Sequence, residues 1–365
     1  MNHNNSKALF LSIFMMFLMI SAHGQNRYLH LTGSIENEEK VSADLVITGE
    51  KIYGFIQNHF TREAPLRVTG SLLDGGIINL IDKTTDIEFI TATMSENDLI
   101  TGKWKNLAGE ERPFEMSVIY PEGSHKFGVT AVSSMQSLID SPDSPMAVFE
   151  SCILTPSNSL NKAINDSFMT LVYKDLFKSN NASDPNVMLK SHESAFFDQY
   201  RVNNTDINTK ENYQYLNWEK RKILSVVFNE SDLVSLNFQD YTYTGGTSGL
   251  EMNKYLVFDF TKGNKIGIYD ILQKEKENTL SELIKSEICR KLNIDPSGQL
   301  TDNGFFSNDV FVTSNFCLTS YGIVFHYNTY ELAGQETGPL SVYLPFNNLT
   351  EVLISEGITA RIVVK

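Results

Sequence analysis

Residues 25–121 read as β-structure throughout. Eight short runs, near 28–35, 42–48, 51–57, 66–72, 76–81, 86–94, 98–104 and 112–120, either alternate apolar with polar residues or are densely apolar. Leu66, Val68 and Leu72 interleave with Arg67, Thr69 and Ser71, and Phe114, Met116 and Val118 with Glu115 and Ser117. A period of two sends alternate side chains to opposite faces of a strand. Polar tips such as Glu36-Asn37-Glu38 and Asp74-Gly75-Gly76 separate the runs, as hairpin loops do. The expectation is an all-β meander, either a small up-and-down barrel or a two-sheet sandwich. Thr-Gly recurs at 32–33, 48–49, 69–70 and 101–102. Glycine inside a strand marks a bulge or barrel bend, so these pairs read as points of curvature.

Tyr120-Pro121-Glu122-Gly123-Ser124 interrupts the strand series and sets a boundary between a 25–121 domain and a 122–365 domain. Beyond it, strands and helices mix. Runs 127–138 and 146–154 read as strands. Leu160, Ile164, Phe168, Leu171 and Val172 share one face at helical spacing, and a second helix starts at Ser183-Asp184-Pro185 and runs to about Tyr200. From Tyr213 the pattern predicts long antiparallel strands. Val234, Leu236 and Phe238 alternate with Ser235, Asn237 and Gln239, which predicts one buried and one wet face. Thr279-x-x-Glu282 matches a capping box ahead of a helix burying Leu280, Leu283, Ile284, Ile288 and Leu292 and ending before Asp295-Pro296. The second domain is therefore expected to be α+β, an antiparallel sheet with flanking helices.

Residues 1–24 read as a signal peptide. Lys7 is their one charge, an apolar run covers 8–20, and Ser21-Ala22-His23-Gly24 supplies small residues at −3 and −1 of a cut before Gln25. Those thirteen residues, apolar but for Ser12, fall short of the roughly 20 that span a bilayer. Gln25, not Cys, would head the mature chain, which is not a lipoprotein pattern. The reading is an exported protein, periplasmic or extracellular, with no membrane span after cleavage. A net charge of −14 argues against nucleic acid and anionic membrane surfaces, and suits a basic partner. Cys152, Cys289 and Cys317 are an odd number and form no C-x-x-C. Cys152 and Cys317 read as buried thiols in strands, and the pair open to a bridge is Cys289 with Cys317.

Catalytic signatures fail residue by residue. His192-Glu193 begins like H-E-x-x-H, but Phe196 occupies the second histidine position. Gly246-Thr247-Ser248-Gly249-Leu250 misses the G-x-S-x-G elbow at Leu250. No metal site, cofactor fingerprint or catalytic set is legible, and the chain reads as a binding protein, not an enzyme. A hydrolase built on a carboxylate pair and a scaffold without a small ligand are the alternatives. His326 lies on the less apolar face of its strand and reads as half-exposed.

One stretch carries more identity than the rest. Residues 321–346 read YGIVFHYNTYELAGQETGPLSVYLPF: a strand ending in tyrosines, a Tyr-Glu-Leu, a Gly-Pro turn and a second strand. Upstream lie a Tyr-rich strand, the Gly245-Gly246 turn, a Phe-Asp strand and a Gly hairpin. Together these resemble the RsiV-like extracytoplasmic domain, over about residues 125–350. That family is named for a lysozyme-sensing anti-sigma factor and also occurs beside a peptidoglycan deacetylase. The resemblance implies cell-envelope binding, with a peptidoglycan fragment or a lysozyme-like muramidase as partner. Where many relatives carry an Ala-Pro-Tyr-Ala-like turn, this chain has Ala333-Gly334-Gln335-Glu336-Thr337, which weakens any contact that turn makes. Tyrosine combines area, few rotamers and a polar tip. The tyrosines at strand ends, Tyr241, Tyr243, Tyr321, Tyr327 and Tyr330, are therefore the candidates for recognition. The expected site joins Tyr241, Tyr243, Gly245, Gly246, Tyr327, Tyr330 and Glu331 on one edge of the sheet.

Overall fold

The computed structural model describes residues 26–106, 108–157, 161–179, 184–204, 213 and 215–363. The signal segment 1–24 and Leu160 lie outside the described residues. Among these residues no helix is long and apolar enough to cross a membrane.

The eight runs form eight antiparallel strands: β1 (Arg27–Ile35), β2 (Glu39–Thr48), β3 (Lys51–Asn58), β4 (Leu66–Leu73), β5 (Ile77–Asp82), β6 (Ile87–Met94), β7 (Ile100–Lys105) and β8 (Glu111–Val118). They close into a barrel, β1 pairing with β8 from Leu31↔Val118 to Ile35↔Phe114. Closure removes the free edges that a sandwich would leave. Leu31, Ile35, Ile47, Ile52 and Ile56 fill the interior with no exposure. The Thr-Gly pairs explain the curvature. A Cβ on Gly33, Gly70 or Gly102 would sit 1.8, 2.0 or 2.3 Å from the carbonyl oxygen of Glu115, Asn79 or Thr91 on the adjacent strand. Gly49 instead takes a positive φ in the β2–β3 turn.

The remainder is built on a six-stranded sheet in the order β14-β13-β12-β11-β10-β9. Its strands are β9 (Phe127–Ser137), β10 (Met146–Pro156), β11 (Trp218–Glu230), β12 (Leu233–Tyr243), β13 (Leu250–Asp259) and β14 (Asn264–Ile266). The sheet is antiparallel except at one place: β10 and β11 run parallel, from Ala147↔Trp218 to Cys152↔Ile223. The connection between them holds α1 (Lys162–Leu171) and α2 (Pro185–Asn203), and a crossover of that kind is what parallel neighbours require. Asp184 caps α2 by accepting from the backbone N–H of Asn186 at 2.7 Å, with Pro185 opening the first turn. The helical side packs ring on ring, Phe168 against Phe258 and Phe177 against Phe238.

The opposite face was expected to be wet and is not. Ser235, Asn237 and Gln239 are all buried, because a second sheet covers them, the Leu318 N–H donating to Ser235 Oγ at 3.0 Å. That second sheet is three-stranded, β15 (Phe316–Leu318), β16 (Gly322–Tyr327) and β17 (Leu340–Pro345), in that order. Its far side packs on α3 (Glu277–Leu292) and on the terminal α4 (Ile358–Ile362). The capping box does not form. The helix starts at Glu277, which puts Thr279 inside its first turn. Leu280, Ile284 and Ile288 are buried as expected, whereas Leu292 is 36% exposed in the last turn.

All three cysteines are buried and free. Cys317 packs with Phe55, Val227, Tyr255 and Val324, and Cys289 belongs to the cluster around α3, so the open pairing of these two does not occur. Burial pushes the Cys152 thiol up to about 12.

The barrel docks through buried polar groups. Glu150 is 3% exposed, yet it accepts from Tyr53 Oη at 2.7 Å and pairs with Lys51 Nζ at 2.5 Å. Nearby, Asp44 takes the Tyr28 hydroxyl and His30 Nδ1, and Asn229 donates to Tyr28 Oη at 2.8 Å. Trp104 lies in the barrel and Trp218 on the sheet. Variants keeping one tryptophan each are expected to report a single denaturation midpoint, since Tyr28, Val46 and Tyr53 of the barrel pack into one core with Cys152, Leu154, Ile223 and Leu224 of the sheet. Two midpoints would show independent unfolding. Tyr53→Phe is expected to cost about 1.5–3 kcal/mol, the range for a hydrogen bond to a charged group.

Candidate loop surface at the sheet edge

The buried polar layer between the two sheets is where the candidate site begins. β14 pairs only with 257–259, so the edge of β13 before that needs other partners. Asparagine side chains supply them. Asn328 Oδ1 accepts from Asn253 N at 2.7 Å, and its Nδ2 donates to Asn253 O at 3.1 Å. Asn315 does the same one step along, accepting from Tyr255 N at 2.7 Å and donating to Asn253 O at 2.9 Å. Outward from these, Glu251 accepts from Gln239 Nε2 at 2.6 Å, Asn253 Nδ2 at 2.9 Å and Arg67 Nη1 at 2.6 Å. Burial would raise the Glu251 carboxyl, but the Arg67 guanidinium and these donors hold it below the usual range.

Two loops reach the surface above this layer and touch. The first follows β12. Gly245 and Gly246 have φ of 90° and 103°, and a Cβ on Gly245 would sit 2.1 Å from the carbonyl oxygen of Tyr215. Only glycine fits there. Tyr243 Oη donates to Gly246 O at 3.0 Å, closing the turn. The second loop follows β16. Tyr330 is 58% exposed and holds φ at 72°, an uncommon backbone state for a bulky residue. Its hydroxyl donates to Gln335 Oε1 at 3.1 Å, and Gln335 Nε2 donates to Ser248 Oγ at 3.2 Å. Gln335 therefore ties the two loops together.

The expected site residues divide accordingly. Tyr243, Gly245, Gly246 and Tyr330 come together at this surface. Tyr241 is half-buried between the Arg221 guanidinium, 4.4 Å from its ring centre, and Gly249. Glu331 is exposed but spends its carboxylate on Asn328, accepting from its backbone N–H at 3.0 Å. Tyr327 leaves the surface altogether: it is fully buried, and its hydroxyl donates to Phe311 O at 2.6 Å. The reason is that β16 is the central strand of its sheet and is covered on both faces. Tyr321 sits at the other end of that strand, where its hydroxyl meets His59 Nδ1 of the barrel at 2.9 Å. Gln335, Ser248 and Arg221 are the members that alternation and tyrosine content do not reveal.

His326, expected to be half-exposed, is 4% exposed. It contacts Ser341 Oγ at 2.8 Å and Asn328 Oδ1 at 3.3 Å, with the Tyr255 ring alongside. Among the described residues no group of three or more His, Cys, Asp or Glu could hold a metal ion.

Comparison with known proteins adds a family match and a fold. The family model described as "Protein of unknown function (DUF3298)" matches residues 269–347. A crystal structure of a member of that family from Bacteroides fragilis is similar at 18% identity and a TM-score of 0.58, covering 67% of this chain and all of that one. A DUF3298 family protein from Pseudomonas aeruginosa aligns at 13% identity with a TM-score of 0.42, covering 63% of this chain and 96% of that one. No curated protein matches. The Bacteroides likeness is one of fold.

Burial pushes the His326 imidazole down to about 4, so folding favours its neutral form. The stability this provides is complete above the ordinary histidine value near 6.5. It is lost as pH falls from there through about 4. His326→Asn is expected to flatten stability against pH across that window, removing a fall on the order of 3 kcal/mol. An unchanged slope in denaturation series at pH 4–7 would contradict this.

Proposed function

We propose that this chain is an exported, non-catalytic binding protein of the cell envelope. Its ligand surface is the joined loops carrying Tyr243, Gly245, Gly246 and Tyr330. The observation that carries the reading is Tyr330. It is a large exposed aromatic in a costly backbone conformation, braced through Gln335 to a second loop. Residues held in sparsely populated backbone states cluster at functional sites, and loops on a rigid sheet are where binding groups concentrate.

The resemblance to the RsiV-like domain supplies the partner class, a peptidoglycan fragment or a lysozyme-like muramidase. The leader pattern at 1–24 supports export. The chain's charge of −14 favours a basic protein over a neutral glycan. In place of the stiff aromatic turn of many relatives, 333–337 is polar here, and its Gln335 holds the loops in register.

Calorimetric titration with lysozyme and with purified muropeptides tests the proposal. Tyr330→Ala is expected to abolish binding while changing stability by no more than about 0.5 kcal/mol, as at other exposed sites. Binding of lysozyme is expected to weaken as salt rises. Silence against both ligands, or binding that survives Tyr330→Ala, would overturn it.

A further inference from the structure

On the helical side of the sheet, α2 leaves a pocket of about 210 Å³ over β11, lined also by Thr242 and Thr244, the neighbours of Tyr243 in the chain. Phe149, Phe196 and Trp218, all buried, line it as aromatic walls. Lys220 and Lys222, two residues apart on β11, reach the same space with His192 of α2. The two lysines are not equivalent. Lys220 Nζ is neutralised by Asp240 Oδ1 at 2.5 Å and also donates to Thr242 Oγ1 at 2.6 Å. Lys222 is half-buried, and its Nζ lies 3.4 Å from His192 Nδ1. Among the described residues no carboxylate stands within 4.0 Å of it; Asp240, committed to Lys220, acts only at longer range.

We propose that this pocket binds a small carboxylate, its oxygens on Lys222 Nζ and its apolar body against Phe196 and Trp218. A cation taken partly out of water without a counter-ion is costly, and an anionic ligand offsets that cost. One unpaired ammonium matches one negative charge, which favours a monocarboxylate over a phosphate dianion. The volume lies below the roughly 300–1,000 Å³ of sites for drug-sized ligands, so the ligand is small or is only a chain terminus. His192 faces Lys222, Lys220 and Asp240. Burial and the Lys222 charge push its imidazole down to about 4. The neutral ring leaves Lys222 as the pocket's one uncompensated charge.

That coupling gives the test a readout beyond affinity. Benzoate, benzamide, acetyl-Ala-Phe with a free carboxyl terminus, and the same dipeptide as its amide are titrated while His192 is followed by NMR against pH. Saturable binding is expected for benzoate, the free-acid dipeptide or both. The bound charge is expected to offset Lys222 and raise the His192 titration toward its ordinary value. Binding of the dipeptide acid alone would assign the site to a peptide terminus, and binding of benzoate alone to a free acid. Lys222→Met is expected to weaken binding at least about tenfold, the loss of one charge-assisted hydrogen bond, and by itself to raise the His192 titration. Equal binding of the neutral amides, no binding by either acid, or an unmoved His192 in the saturated wild-type protein would each overturn the proposal, with no variant needed.

Discussion

The backbone edge of β13 between Asn253 and Tyr255 is the point on which the C-terminal half depends. A buried N–H or C=O left without a partner costs about as much as a lost hydrogen bond, so this edge has to be satisfied. A further strand would have done it. Instead Asn315 and Asn328 present amide side chains that both accept and donate, as a strand backbone would. These contacts fix the three-stranded sheet against the six-stranded one. They also fix where the chain emerges after β16, which places Tyr330 and Gln335 beside the Gly245-Gly246 turn.

The barrel completes the arrangement from outside. Arg67 reaches from β4 to Glu251, next to the asparagine layer, and Lys51 reaches Glu150 farther along the sheet. Each carboxylate has additional donors, which is the condition under which a carboxylate drawn out of water is tolerable. The docking is therefore geometrically demanding.

What could be read from the sequence follows how local each cause is. The barrel strands were legible because alternation within one run reports burial directly, and Gly33, Gly70 and Gly102 marked the bends. α2 was legible through Asp184 and Pro185. The face of Ser235, Asn237 and Gln239 was misread because what covers it comes from β15 and β16, far along the chain. Tyr327 and His326 were misread for the same reason: a strand covered on both faces need not show an apolar pattern on each. The parallel pairing of β10 and β11 depends on how the intervening helices return the chain, which no local pattern states. Of the candidate site, the tyrosines and glycines were visible. Gln335, which joins the loops, was not, since a glutamine in a polar turn carries no signal of its partner.

Hydrogen exchange at the Asn253 amide in Asn328→Ala tests the central dependence most directly. In the unaltered protein that amide is expected to exchange only with global unfolding. The substitution is expected to speed it well beyond the change in global stability, and to loosen protection in the loop after β16 with it. Exchange at Asn253 that merely tracks global stability, with the loop unaffected, would contradict the account.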